Sequence, residues 1–187
     1  MITLSNAVDA IKTKRDIERM KKALHGRDRL LFVIGVSFGL RISDLLTLKI
    51  GDLRNKTHLT VVEKKTTGTR KQRKPRRIKL SQTVVAEVKA LGGHNDDYLF
   101  QSRKGVNQPI SRVQAYRILN DAAERAGIDV NIGTHSLRKA FGWQLYNKGI
   151  DVTRIMEIFG HSTPAMTLKY IGITSQEIDD AYEAIEV

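Results

Sequence analysis

Two histidines, an arginine and a tyrosine stand at spacings that suit chemistry on an anion. His135 and Arg138 lie three residues apart in Thr134-His135-Ser136-Leu137-Arg138, just before an apolar-periodic stretch over 140–150. At the start of a helix that spacing sets both side chains on one face, where a proton-transfer group and a fixed cation meet one anionic ligand near the positive helix end. Phe159-Gly160-His161-Ser162 follows, in which glycine ends a helix and presents His161, while Ser162 with Pro164 suits a new helix start. Tyr170 comes nine residues after His161, at the end of that short helix. A lone helix-start histidine is more often structural than a ligand, so neither segment decides the chemistry by itself.

The elements that must position these residues read as mainly α with a small antiparallel β-sheet, an α+β class. Thr13 caps a helix over 14–24, with Asp16 at its third position reaching back as a capping-box side chain. The run Leu30, Leu31, Phe32, Val33, Ile34, Val36 and Phe38 reads as a buried helix over 29–38, ended by Gly39. After a turn at Leu40 and Arg41, Ser43 suits the cap of a short helix whose Leu45, Leu46 and Leu48 face a core, and Gly51 and Asp52 are expected to break it. Over 59–80 the pattern becomes β-type around Gly68, a hairpin with a long basic tip. A helix over 84–91, a short buried strand over 98–101 and an amphipathic helix over 111–126 come next. Helices over 136–148, 152–159 and 175–185 complete one expected domain spanning 1–187, without repeats or proline-rich linkers.

Composition narrows the partner. The formal net charge of +12 is a single-sign field that strains a compact fold unless a polyanion relieves it, and nucleic acid fits better than a membrane because no basic amphipathic helix is evident. Nine Lys or Arg residues lie between Lys64 and Lys79 with no acid among them: Lys64, Lys65, Arg70, Lys71, Arg73, Lys74, Arg76, Arg77 and Lys79. Mutual repulsion keeps such a run loose until phosphates neutralise it. There is no cysteine, and the five histidines form no metal-type pair, so neither a metal site nor a cofactor is expected. No secretory signal or spanning apolar run is evident, which points to a cytoplasmic, DNA-associated protein with no membrane partner.

Four segments together resemble the catalytic domain of the tyrosine recombinase (phage-type integrase) family. They are Gly39-Leu40-Arg41-Ile42-Ser43-Asp44-Leu45-Leu46, similar to the family's first-arginine box; His135 to Arg138, its H-x-x-R box; Gly160-His161-Ser162; and Thr167-Leu168-Lys169-Tyr170, its nucleophile box. The resemblance runs over about 17–173 and keeps the family's order and approximate spacings. It implies a catalytic set of Arg41, Lys65, His135, Arg138, His161 and Tyr170, with Asp44 supporting the first arginine. Lys64 and Lys65 both precede Thr66-Thr67-Gly68; Lys65 is chosen because family hairpins often read lysine, threonine, glycine there. Lys139 stands where many relatives have a second histidine, and it joins Lys64, Arg70, Lys71, Arg73, Lys74, Arg76 and Arg77 as an expected DNA contact. Tyr98, Tyr116, Tyr146 and Tyr182 lie in apolar-periodic settings and read as core or interface aromatics.

The implied reaction is metal-independent transesterification of a phosphodiester through a 3′-phosphotyrosine at Tyr170. Arg41 and Arg138 would hold the charge that develops on phosphorus, and Lys65 would protonate the leaving 5′-oxygen. A phenol with a pKa near 10 needs this cationic site to favour phenolate. Relatives also carry an N-terminal core-binding domain, for which the residues before Thr13 are too few. The tail over 174–187 pairs Thr174 with Glu177 as a capping box and shows a stripe of Ile178, Ala181, Tyr182 and Ile185. It is expected to dock on a neighbouring subunit of a tetramer on paired double-stranded DNA sites, or to fold back in cis. A DNA-binding protein that keeps the fold without catalysis and a topoisomerase-like enzyme are the competing readings.

Overall fold

Thr13 accepts a hydrogen bond from the Asp16 amide at 3.0 Å and so starts helix α1, Lys14–Ala23, as its sequence predicts. The computed structural model describes residues 8–62 and 75–173, together with Glu183. Lys64, Lys65, Arg70, Lys71, Arg73, Lys74 and, apart from Glu183, the helix expected over 175–185 lie outside the described residues. Helix α2, Gly26–Phe38, is apolar all round because it runs through the middle: Leu30, Leu31 and Ile34 enter one core cluster and Phe32 enters another. Then come α3, Ile42–Leu45, α4, Ile50–Leu53, and the hairpin strands β1, His58–Val61, and β2, Arg76–Lys79. The strands pair antiparallel with Leu59 opposite Ile78 and Val61 opposite Arg76. Helices α5, Gln82–Lys89, α6, Arg112–Arg125, α7, Thr134–Asn147, α8, Val152–Phe159, and α9, Pro164–Ile171, complete the described elements.

Three expectations are corrected. Ser43 is not a cap; it lies inside α3, whose cap position is Arg41. Gly51 and Asp52 do not break a helix; they form α4, because the Asp52 carboxylate accepts from the Lys49 amide at 2.8 Å as a cap and Gly51 gives the 94–97 loop room to approach. A Cβ on Gly51 would lie 2.9 Å from the Asn95 carbonyl oxygen. The segment 98–101 is buried at Leu99 and Phe100 but is no regular strand, since its two ends bridge to different partners, Tyr98 to Lys49 and Gln101 to Pro109.

The largest core cluster lies among α2–α5 and the hairpin, with Phe38, Leu45, Leu53, Leu59, Val84 and Phe100 at its centre. A second joins α1, α2, α6 and α7 through Met20, Phe32, Leu119 and Leu137. The third is small: Ile155, Phe159 and Ile171 fasten α8 and α9 to α7. Among the described residues, no helix is long and apolar enough to cross a membrane.

Candidate active site

Two helices stop side by side, and each stops on a left-handed glycine. Gly39 closes α2 at φ 59° and Gly160 closes α8 at φ 65°. An α-helix ends with carbonyls that have no partner inside it, so this seam gathers unsatisfied oxygens carrying partial negative charge. The Arg138 guanidinium fills it, donating to Gly39 O through one terminal nitrogen and to Phe159 O at 3.0 Å through the other. The Phe159 ring lies 4.5 Å from the guanidinium carbon, and Arg138 is only 3% exposed. Gly39 is demanded twice, by its φ and by Phe141, whose ring would lie 2.2 Å from a Cβ. Past the seam the chain delivers Arg41 two residues after Gly39 and His161 immediately after Gly160.

Helix α7 aims the first-turn pair. Ser136 Oγ accepts from the Gly133 amide at 3.0 Å in a buried bond, fixing the turn on which His135 and Arg138 sit. At Gly35 a Cβ would meet Leu137 Cδ1 at 2.4 Å, so this glycine lets α7 lie close enough to α2 for Arg138 to reach Gly39. Helix α9 starts at Thr163, whose hydroxyl accepts from the Met166 amide at 3.2 Å, with Pro164 at the first helical position. Its last turn presents Tyr170, edge-on to His161 with ring centres 5.1 Å apart and to Phe159 at 5.4 Å. His135 Nδ1 lies 3.4 Å from the Tyr170 hydroxyl, and the charges of Arg138 and Arg41 act on the same phenol.

Electrostatics set the resting protonation states. Burial pushes the Tyr170 phenol above its usual 10, and the charges of Arg138 and Arg41, with the Arg138 hydrogen bond, recover only part of that rise. The two arginines act toward phenolate, as expected, but in the DNA-free pocket desolvation outweighs them. His135 is held below 6.5 by desolvation first, then by the charges of Arg138, Lys139 and Arg41, and so is neutral near pH 7. A neutral imidazole beside a protonated phenol is a base next to its acid.

Five of the sequence-predicted residues thus come together: Arg41, His135, Arg138, His161 and Tyr170. Arg41 is half-buried at the cap of α3, and Asp44, 3% exposed, lies on the first turn behind it. Lys139 donates to Val8 O at 2.7 Å while its ammonium sits 5.6 Å from the Tyr170 ring centre, so it is engaged with the N-terminal segment. Arg77 is exposed and meets His58 Nδ1 at 3.3 Å. Arg76 donates to the Phe38 and Ile158 carbonyls. Three contributors were missed from the sequence. Phe159 is the ring against which Arg138, His161 and Tyr170 all pack; buried Thr167 contacts His161 Nδ1 at 3.0 Å; and Gly142 lets α9 approach α7. Phe159 and Thr167 stood inside the quoted segments without a role assigned, and Gly142 carried its own signal, a glycine inside a helical pattern where alanine would be favoured by about 1 kcal/mol.

Comparison with known proteins identifies the family and the fold. The Phage integrase family model matches residues 10–177. "Probable integrase/recombinase YoeC" of Bacillus subtilis (strain 168) is 38% identical over 181 residues, covering 94% of this chain and 96% of that protein. Tyrosine recombinase XerA of Pyrococcus furiosus is 33% identical over 186 residues, covering 97% of this chain but 62% of XerA, so the chain spans less than two thirds of that relative. Among solved structures, a XerA recombinase crystal structure superposes with a TM-score of 0.73 at 21% identity, covering 98% of this chain and 66% of that one. XerH site-specific recombinase bound to its difH substrate after cleavage gives 0.69 at 22% identity, covering 95% of this chain and 52% of that one. With the family model matching most of its length and the arginine, histidine and tyrosine boxes meeting in one pocket, this chain belongs to the phage integrase family of tyrosine recombinases.

Proposed function

We propose that this protein breaks and rejoins double-stranded DNA at specific sites through a covalent phosphotyrosine at Tyr170. The observation that carries this reading is the convergence on one phenol: His135 Nδ1 lies 3.4 Å from its oxygen, His161 stacks edge-on beside it, and the charges of Arg138 and Arg41 act on it. A phosphodiester entering here meets two guanidinium groups. Arg41 and Arg138 take its non-bridging oxygens and hold the charge that grows on phosphorus, each contributing about 10²-fold or more in rate. Arg138 is anchored by the two helix-end carbonyls, so little reorganisation is left for the moment of reaction.

Tyr170 Oη attacks phosphorus as its proton passes to neutral His135. The bond from phosphorus to the 5′-oxygen breaks, and that oxygen takes a proton from Lys65 of the hairpin. The product, a 3′-phosphotyrosine, keeps the energy of the cleaved bond. Attack by a free 5′-hydroxyl regenerates Tyr170 and reseals the strand, and exchange results when the hydroxyl belongs to a second duplex. That exchange requires two sites held together, hence a tetramer on paired DNA. The basic hairpin residues Lys64, Arg70, Lys71, Arg73 and Lys74, with Arg77, supply the phosphate contacts.

The test is to incubate the protein with a nicked pool of random genomic DNA fragments, denature it, and recover DNA covalently joined to protein. Adduct is expected with wild type and absent with Tyr170→Phe. Binding without adduct in the wild type would favour a non-catalytic DNA-binding protein, and relaxation of supercoils without recombination would favour a topoisomerase.

A further inference from the structure

Arg76 and Arg138 grip the same two helix ends. Arg138 takes Gly39 O and Phe159 O, while Arg76, at the first position of β2, takes the preceding carbonyl on each helix: Phe38 O at 2.6 Å and Ile158 O at 3.1 Å. The two forks therefore cross the α2–α8 seam one residue apart. A planar guanidinium suits this because its rigid donors meet two acceptors at a set separation, which an ammonium on a flexible stem does not impose. One fork comes from the helix that carries His135 and the other from strand β2, which follows Lys65 in the sequence. The helix ends so joined lead directly to Arg41 and to His161.

We propose that Arg76 is a positioning residue for strand cleavage: it sets the gap between the ends of α2 and α8 so that Arg138 reaches both of its carbonyls, and it ties that gap to strand β2. This rests on the function proposed above. Within the basic run, Arg76 then serves the interior of the pocket, whereas its neighbours serve phosphate. Hairpin placement and arginine placement become one event, because β2 cannot shift without pulling the fork across the seam.

The test compares wild type, Arg76→Lys and Arg76→Ala in the full chain, on a nicked duplex whose sequence is recovered from the adduct experiment. Wild-type adduct that disappears in Tyr170→Phe validates the substrate first; a failure of the function reading would show there, before any Arg76 variant is measured. In single turnover at saturating DNA, the cleavage rate is expected to fall about tenfold in Arg76→Lys and further in Arg76→Ala. Burst amplitude, DNA affinity and the salt dependence of binding should stay within about twofold of wild type. A phosphate-contacting Arg76 would instead weaken binding in Arg76→Ala, reduce the salt slope by about one and leave the saturated rate intact, which overturns the proposal. A merely structural role would lower the amplitude without slowing the surviving enzyme, and that also overturns it. If Arg76→Ala fails to fold, Arg76→Lys decides: a wild-type rate in that variant refutes the fork.

Discussion

Arg41 and Tyr170 serve one pocket from two unlike foundations. Leu40, Ile42, Leu45 and Leu46 flank Arg41 and are all buried in the largest core cluster, so the backbone that presents this arginine is fixed by the bulk of the molecule. Tyr170 stands on α9, whose own cluster has only Ile155, Phe159 and Ile171 fully buried. Its attachment relies on a few specific contacts: the close approach at Gly142, Lys12 Nζ donating to Gly172 O at 2.8 Å, and the Phe159 ring. Segments with few buried apolar contacts open at lower free energy than cores. Arg41 is thus set by the main fold, while Tyr170, the proposed nucleophile, stands on a helix held by the smallest of the three core clusters.

The most damaging way to probe that contrast is at the arginines, which should fail differently. Arg138→Ala removes a charge stabiliser and also strands the Gly39 and Phe159 carbonyls in a buried seam, at about 1–3 kcal/mol for each group left unsatisfied, less what is recovered by no longer desolvating a cation. Single-turnover cleavage should drop at least about 10²-fold and the thermal midpoint should fall with it. Arg41→Ala should lose a comparable factor in rate while changing stability by less than about 1 kcal/mol, because its side chain is only half-buried. Denaturant unfolding beside adduct kinetics would separate the two. Equal stability losses would mean that Arg138 is not the structural pin of the seam.

A gentler comparison pits two glycines against each other. At Gly142 a new Cβ would lie 2.6 Å from Ile171 Cγ2 and 2.7 Å from the Phe159 ring, whereas at Gly51, on α4, it would meet Asn95, 2.9 Å away. Overpacking costs about 1–3 kcal/mol, and each alanine recovers up to about 1 kcal/mol of helix propensity. Both variants should therefore lose similar, modest stability. Gly142→Ala should slow cleavage by about tenfold, since it pushes the turn bearing Tyr170 away from α7, and Gly51→Ala should leave the rate of the folded fraction unchanged. If the two slow cleavage equally, the placement of α9 is not what sets the rate.

How much of this was legible in the sequence depended on distance along the chain. Caps and stops are local, so Thr13, Gly39 and Gly160 marked their helix ends directly, and the three-residue spacing of His135 and Arg138 was enough to put them on one helical turn. Gly51 and Asp52 misled because a glycine followed by an acid reads as a break unless one knows that Asn95 packs there and that the carboxylate turns back to cap Lys49. Alternation put Arg76 on the face of Ile78 and Leu80, but nothing local showed that this one arginine of a basic run meets two helix ends far away in sequence. Phe159 had no role assigned from the sequence for the same reason. Its partners Arg138, His161 and Tyr170 meet it only after α7, α8 and α9 have packed.

The finest test concerns protons. His135 has a folded pKa below its unfolded value of about 6.5, so the unfolded chain binds the proton more tightly; the stability this histidine contributes is complete above that value and is lost as pH falls through the folded pKa. Tyr170 has the opposite sign: its contribution is intact below pH 10 and is lost as pH rises through the elevated folded pKa. Near neutrality the DNA-free pocket therefore holds imidazole and phenol, both uncharged, between the two arginines. A proton NMR titration of the His135 ring, assigned with His135→Gln, should give a midpoint under 6.5 that moves upward when duplex DNA places a phosphate there. The same titration weighs the two arginines. Arg138 depresses the histidine more than Arg41 does, so Arg138→Ala should raise the midpoint further than Arg41→Ala. The reverse order would place the charge nearest the base on the core-anchored loop, and the proposed proton path from Tyr170 to His135 would have to be redrawn around Arg41.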